Sequence, residues 1–403
     1  MTAGVPAVSP GLWPSWLALL AGVLVSSSVG AADYSTINRN RLRGFTAAME
    51  DAGRPATVIS FGDSMADSYR STTFHVMNRL VERFGVAGYS LQNYRNTLLP
   101  QLAGGAFIQR TGEHWFSAYF GVPQGGSLWW DNQPNPGGVL CDTLGVFYVL
   151  HPLGGEMRVS VSTNGGPWTI HQTLDGFSES PKSAFASLDV DLDRYRIRVD
   201  GVNGMNYIIG PHALDSQAGG LHAVYVDYPG IHLGQVVDVP VAIRDPVISG
   251  LRPDLIIWHM KENVDALLES RMRENEAWWR RAAPDCEILY IGTPWVGSEI
   301  GADLTLGQNA IVRSIALEHD RAYVDLMQPT FSYDWLLQND YMADETHLNS
   351  AGGLHTADLL WKDSGFLPRE PNEPSPFPRK RTGSGSITRL QTGPPIVSKN
   401  PWT

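Results

Sequence analysis

Ala56-Thr57-Val58-Ile59-Ser60-Phe61-Gly62-Asp63-Ser64-Met65-Ala66-Asp67-Ser68 is the stretch on which the fold of this chain turns. Thr57-Val58-Ile59 is apolar and β-branched, which predicts a short buried strand, and the run stops at Gly62-Asp63-Ser64 before a segment with helical period. Ser64 therefore falls on a strand-to-helix turn. Its hydroxyl is expected beyond the strand's carboxyl end, and its N–H among the unpaired donors of a helix N-terminus. Such a turn suits a nucleophile whose own N–H meets a developing oxyanion. Taken alone, however, the stretch favours a plain helix cap by Ser64.

The far end of the chain changes that balance. Asp344-Glu345-Thr346-His347-Leu348-Asn349 precedes another helical run. A serine nucleophile requires a base, and the base requires an acceptor on its other ring nitrogen to fix the tautomer. Asp344 and His347, three apart on one loop, can supply both. In this order the two blocks resemble those of the SGNH or GDSL hydrolases, whose first is Gly-Asp-Ser and whose last is Asp-x-x-His. The resemblance covers residues 50–100 and 230–366. It implies Ser64 as nucleophile, His347 as base and Asp344 as its orienting carboxylate.

Between the blocks, Phe74, Met77, Val81 and Phe84 recur at helical spacing and predict an amphipathic helix over 65–84, ended by Gly85. The stretch from 85 to about 140 is Gly- and Asn-rich and is expected to be loop, with Trp115, Trp129 and Trp130 interspersed. From 145 the period becomes two. Short strands are expected at 145–150, 157–161, 168–170, 195–199, 207–209 and 222–226, with turns at Asn164-Gly165-Gly166, Asp200-Gly201 and Asn203-Gly204. Their spacing indicates an antiparallel β-sandwich. From 254 strands and helices alternate again: strands at 254–260, 287–291 and 322–326, helices at 264–281, 308–319 and 349–361. With the strand at 57–61 this is a doubly wound parallel α/β sheet, flavodoxin-like, with the sandwich inserted. The expected organisation is a hydrolase domain in two parts, 33–115 and 229–366, around an insert at 116–228.

An oxyanion needs further donors. Asn263 follows the strand 254–260 where the family places Gly-x-Asn-Asp; the block here reads Lys261-Glu262-Asn263-Val264, without the Gly and the second acidic residue. Asn263 is the expected side-chain donor, a role that capping the next helix does not exclude. The family's glycine donor has two candidate places, Gly85 or Gly88, and the stretch Gly230-Ile231-His232-Leu233-Gly234. Peptidoglycan O-acetylesterases and related acetyltransferases carry a carbohydrate-binding-like β module before that glycine. They show an Arg-Phe-Gly-x-Ala-Gly stretch like residues 83–88 and a Gly-Ile-x-Gly stretch after the insert. The chain resembles that arrangement with one residue too many between Ile231 and Gly234, and Gly234 is chosen on this ground.

The 403 residues, 43% hydrophobic and 18% charged, suffice for a large core. A net charge of −11 without a long basic run in the folded region gives no sign of a nucleic-acid partner. The apolar run at 16–25, followed by Ser-Ser-Ser-Val-Gly-Ala-Ala, reads as a signal peptide cleaved after Ala31 or Ala32. The lack of Lys or Arg before it leaves an uncleaved anchor as the alternative. Either way export is expected, periplasmic or extracellular. Residues 367–403, rich in Pro, Ser and Gly, are expected to be a disordered tail. Cys141 and Cys286 read as small buried hydrophobes, and His259, on an apolar strand, as a core residue. No His or Cys cluster has zinc spacing, so no metal or other cofactor is expected. The resulting expectation is a serine esterase acting on an acylated polysaccharide. An acyltransferase with the same residues, or a non-catalytic carbohydrate-binding envelope protein, is the alternative.

Overall fold

The structure, a computed structural model, describes residues 36–363 except 52, 67–69, 92–99, 110–118, 132–138, 228–229, 262–266, 298, 328–329 and 331. The expected leader (1–32) and tail (367–403) lie outside the described residues, as do Asn263 and Trp115. Strand β1 (Thr36–Ile37) and helix α1 (Arg43–Glu50) lead into β2 (Pro55–Gly62), α2 (Thr72–Phe84) and β3 (Val86–Ser90). Strands β4 (Gln101–Ala103), β5 (Phe107–Gln109), β6 (Tyr119–Pro123), β7 (Ser127–Asp131), β8 (Cys141–Leu150) and β9 (Glu156–Thr163) follow. After them come β10 (Thr169–Asp175), β11 (Lys182–Asp193), β12 (Tyr195–Gly201) and β13 (Met205–Leu214). The chain returns through β14 (Gly220–Asp227), α3 (Leu233–Asp238), α4 (Val241–Leu251), β15 (Leu255–His259) and α5 (Leu268–Ala282). It ends with β16 (Glu287–Gly292), α6 (Glu299–Glu318), β17 (Ala322–Asp325), α7 (Tyr333–Gln338) and α8 (Ser350–Asp363).

Strands β17, β16, β15, β2, β14 and β3 lie side by side in that order, each parallel to the next. Side chains of β2 alternate between two cores. Ile59 and Phe61 enter one with Trp258, Trp278 and Val312, and Ala56 and Val58 enter the other with Met77, Leu80 and Leu360. Burial on both faces is why these strands read as unbroken apolar runs rather than alternating ones.

At β3 the sheet changes character. Gly88–Ser90 pairs antiparallel with His212–Leu214, and β13 goes on to pair with β6 and β8. A second, wholly antiparallel sheet, β10-β9-β12-β7-β4, shares with these strands a third core built on Phe120, Trp130, Val146, Val159 and Ile197.

Several expectations are corrected. The strand at 222–226, assigned to the insert, is β14 and lies between β2 and β3 in the parallel sheet, with every residue buried. The alternation in the sequence marks a strand but not its sheet. Within the stretch 85–140, expected as loop, residues 86–90 form β3 and four more strands, β4 to β7, follow; a Cβ on Gly88 would lie 2.3 Å from Ala213 O, so this glycine serves the close approach of β13 rather than a turn. Helix α2 begins at Thr72, not beside Ser64. Its cap is Ser71, whose Oγ accepts the Phe74 N–H at 3.0 Å. Helices α1, α3, α4 and α7 have no counterpart among the helices expected from the sequence. Gly85 does end α2, at φ +80°, and Cys141 and Cys286 are free and buried as expected.

A buried polar run crosses the change from parallel to antiparallel. Thr57 Oγ1 and His222 Nδ1 are 3.0 Å apart, His222 Nε2 and Ser90 Oγ 2.8 Å, and Ser90 Oγ and His212 Nδ1 2.7 Å. Burial lowers His212 to about 4 and, with His212 beside it, holds His222 well below the ordinary histidine range. The unfolded chain takes up these protons near pH 6.5, so their contribution is fully present above that pH and is lost as pH falls towards 4. The urea midpoint is therefore expected to drop across this window, and His212→Gln should flatten the drop. A pH-independent midpoint between those values would contradict the assignment.

Candidate active site

Strand β2 ends at Gly62, opposite His259 of β15 and Asp227 of β14. A Cβ on Gly62 would sit 2.0 Å from the His259 carbonyl oxygen, so glycine lets the strand ends close up. Beyond it the chain turns tightly: Asp63 Oδ1 accepts the Met65 N–H at 2.9 Å and Asp63 O the Ala66 N–H at 3.0 Å. This turn, rather than a helix N-terminus, carries Ser64 at the carboxyl edge of the sheet.

The second block lies on a loop closed by the bridge Met342–Leu348 and by the Ala343 N–H on His347 O at 2.8 Å. Met342 and Leu348 enter a small core with Leu336, against which Trp295 and Tyr341 pack. Inside the loop, Asp344 Oδ1 accepts the N–H groups of Thr346 and His347 at 2.8 Å each. Asp344 is thus fixed before its carboxylate meets the imidazole. Asn349 ties the loop to the next helix, its Nδ2–H reaching Asp340 O at 2.6 Å and its Oδ1 accepting the Gly352 N–H at 2.9 Å.

The structure brings the two blocks together. His347 Nε2 lies 2.9 Å from Ser64 Oγ, and His347 Nδ1 lies 3.0 Å from each Asp344 carboxylate oxygen. A carboxylate opposite Nδ1 requires the proton there, which leaves Nε2 to accept from the Ser64 hydroxyl. Partial burial raises the Asp344 carboxyl, but the His347 and Thr346 N–H groups and the His347 ring outweigh it and hold the carboxyl below its ordinary value. Ser64, Arg70, His259 and His347 are among the residues lining a small cavity here. His259 is core as expected: fully buried, with Nδ1 3.2 Å from Thr73 Oγ1, it is lowered by desolvation to about 3.

The oxyanion donors are less fully placed. Gly234 lies in the first turn of α3, where a Cβ would be 3.2 Å from Arg271 Nε of α5, and it is not among the residues lining the cavity at Ser64. Its neighbour His232 is the N-cap of α3, its N–H donating to Gln235 Oε1 at 3.0 Å. Of the tryptophans, Trp130 is core, edge-on to Phe120, whereas Trp168 is half-buried with the Arg196 guanidinium 4.8 Å from its ring centroid.

No protein-family model matches the chain, and no curated protein matches it. Among solved structures, a peptidoglycan O-acetylesterase superposes with a TM-score of 0.61 at 17% identity, covering 79% of this chain and 93% of that one. The chain shares the fold of that esterase. A family two carbohydrate esterase from Clostridium thermocellum in complex with cellohexaose also matches, with a TM-score of 0.28 at 12% identity over 65% of this chain and all (100%) of that one. A structure described as a GDSL-like lipase from Bacteroides ovatus matches with a TM-score of 0.26 at 11% identity over 59% of this chain and 83% of that one. The likeness of fold rests on the first of the three.

Within that fold two residues at the site went unread in the sequence. Asp63 takes the Lys261 N–H on Oδ2 at 3.1 Å, and Lys261 Nζ lies 3.4 Å from Thr346 Oγ1. The only signal for Asp63 was its place in Gly-Asp-Ser, and Lys261 stood out only as an odd residue after an apolar strand.

Proposed function

We propose that the chain is an exported serine esterase that removes acetyl or another short acyl group from a carbohydrate. The hydrogen-bonded run from Ser64 Oγ through the His347 imidazole to the Asp344 carboxylate carries this reading. Ser64 Oγ adds to the ester carbonyl while its proton passes to His347 Nε2, and Asp344 stabilises the imidazolium through Nδ1–H. The Ser64 N–H takes the oxyanion, and the Gly234 N–H and the Asn263 amide are assigned as further donors on the motif resemblance. Collapse expels the sugar alkoxide, which receives the proton from His347. Water then gives a proton to His347 and attacks the acyl-enzyme; acetate departs, and Ser64 recovers its proton.

The carbohydrate half of the proposal is supported by the likeness to a peptidoglycan O-acetylesterase and by the antiparallel strands sharing a core between β3 and β14, which we take as an inserted β-sandwich. Half-exposed Trp129 on its second sheet and Trp168 just before β10 offer aromatic surface of the kind that stacks on sugars. Export rests on the apolar run 16–25 and the small residues after it, and among the described residues no helix is long and apolar enough to cross a membrane.

Acetate release from a panel of O-acetylated polysaccharides, alongside hydrolysis of p-nitrophenyl acetate, tests both halves. Turnover of the aryl ester and at least one polysaccharide is expected. Aryl-ester turnover with no polysaccharide active would remove the carbohydrate assignment, and no turnover of either would remove the esterase. Acetylated oligosaccharide formed in place of free acetate would identify a sugar hydroxyl, not water, as the acceptor.

A further inference from the structure

The acyl-transfer steps leave Asp63 and Lys261 without a task, yet they stand where the Ser64 turn, the exit of β15 and the Asp344–His347 loop meet. Asp63 is buried, 5% exposed, and each of its oxygens accepts a backbone N–H: Met65 on Oδ1 at 2.9 Å, inside the turn that holds Ser64, and Lys261 on Oδ2 at 3.1 Å, at the exit of β15. The Lys261 ammonium then donates to Thr346 Oγ1 at 3.4 Å, and the Thr346 N–H donates to Asp344 Oδ1 at 2.8 Å. A continuous chain of hydrogen bonds thus runs from the nucleophile's turn to the carboxylate that orients His347.

We infer that Asp63 and Lys261 are positioning residues, a brace that sets the Ser64 turn against the Asp344–His347 loop; the inference rests on the esterase reading of those residues. Ser64 and His347 are 283 positions apart and belong to separate elements, so their 2.9 Å contact depends on how the two segments are held. Displacement of a reacting group by about 1 Å costs on the order of a hundredfold in rate. The Lys261 side chain spans the gap between the segments, and Asp63 fixes the backbone from which that side chain starts.

The brace needs Asp63 ionised. A carboxylate only accepts, whereas a protonated Asp63 would point an O–H at one of two N–H donors. Desolvation pushes Asp63 up to about 7, against the N–H groups and the Lys261 ammonium. Lys261 at the exit of β15 is the charge that acts on Asp63 among the described residues; Asp227 at the end of β14, His259 at the end of β15, kept neutral by burial, and Arg70 and His347 at the cavity are other charged or titratable groups nearby. Removing the ammonium therefore favours protonated Asp63 and should carry the acid limb of the rate profile to higher pH.

The test is the pH profile of p-nitrophenyl acetate hydrolysis by the full chain, with Lys261→Met, Lys261→Arg and Thr346→Val beside wild type and Ser64→Ala. Lys261→Met is expected to lower kcat roughly ten- to hundredfold with little change in KM. Its acid limb should move upward, and Lys261→Arg should recover most of both. Thr346→Val breaks the same link from the exposed loop and should lower kcat with the ammonium still present, which keeps the test open if Lys261→Met fails to fold. Wild-type kcat and profile in both Lys261→Met and Thr346→Val, with Ser64→Ala inactive, would overturn the brace and leave the esterase standing. A change in KM alone would make Lys261 a substrate contact and overturn it as well. Activity in Ser64→Ala would instead sink the reading beneath it.

Discussion

Ser64→Ala and His347→Ala are each expected to reduce ester turnover by a factor on the order of 10⁶, and the double variant to be scarcely slower than either. The reason is the 2.9 Å contact between Ser64 Oγ and His347 Nε2: the hydroxyl attacks only as its proton leaves, so losing either partner ends the same step. Asp344→Asn should be less severe. It keeps a group beside Nδ1 and the loop's turn but removes the charge that holds the proton there. Rates from purified variants with unchanged unfolding midpoints decide the matter. Additive losses in the double variant would mean that the two residues act in separate steps.

Gly62→Ala should be the most damaging substitution outside the reacting groups. Its Cβ would lie 2.0 Å from the His259 carbonyl oxygen and 2.7 Å from the Ala66 Cβ, so β2 and β15 must move apart or the turn must shift. Overpacking of this kind costs about 1–3 kcal/mol. Because the same two strands place Ser64 and Lys261, a loss in kcat on the order of a hundredfold should accompany it. Gly85→Ala is the comparison. It strains a residue at φ +80° with open space around it, so it should lower the unfolding midpoint and leave kcat intact. Equal loss of kcat in both variants would show that general instability, not the approach of β2 to β15, accounts for the Gly62 effect.

The parts of the fold legible in the sequence are those whose pattern is local. Apolar runs at 57–61, 255–259 and 287–291 stand out because strands buried on both faces carry no alternation to confuse. Asp344 and His347 are legible because they lie three apart on one loop. Sheet membership was not. His222 to Val226 looks like any of the antiparallel strands before it, and only its pairing with β2 and β3 shows that the parallel sheet needs it. Excising residues 116–228, the expected insert, would therefore remove the strand beside β2. The start of α2 was missed for a related reason: Asp63 satisfies the Met65 N–H with its own side chain and delays the helix to the Ser71 cap, a competition that hydrophobic period cannot register. The Lys261 link to Thr346 joins segments far apart in the chain and leaves no local trace.

The central claim is that Ser64 carries the acyl group, and an acid-quenched digest taken during p-nitrophenyl acetate turnover tests it most directly. Mass spectrometry of the peptides should find one added acetyl group, located on Ser64 and missing from Ser64→Ala. An acetyl group on another residue at the turnover rate, or steady turnover with Ser64 never modified in any variant, would contradict the account.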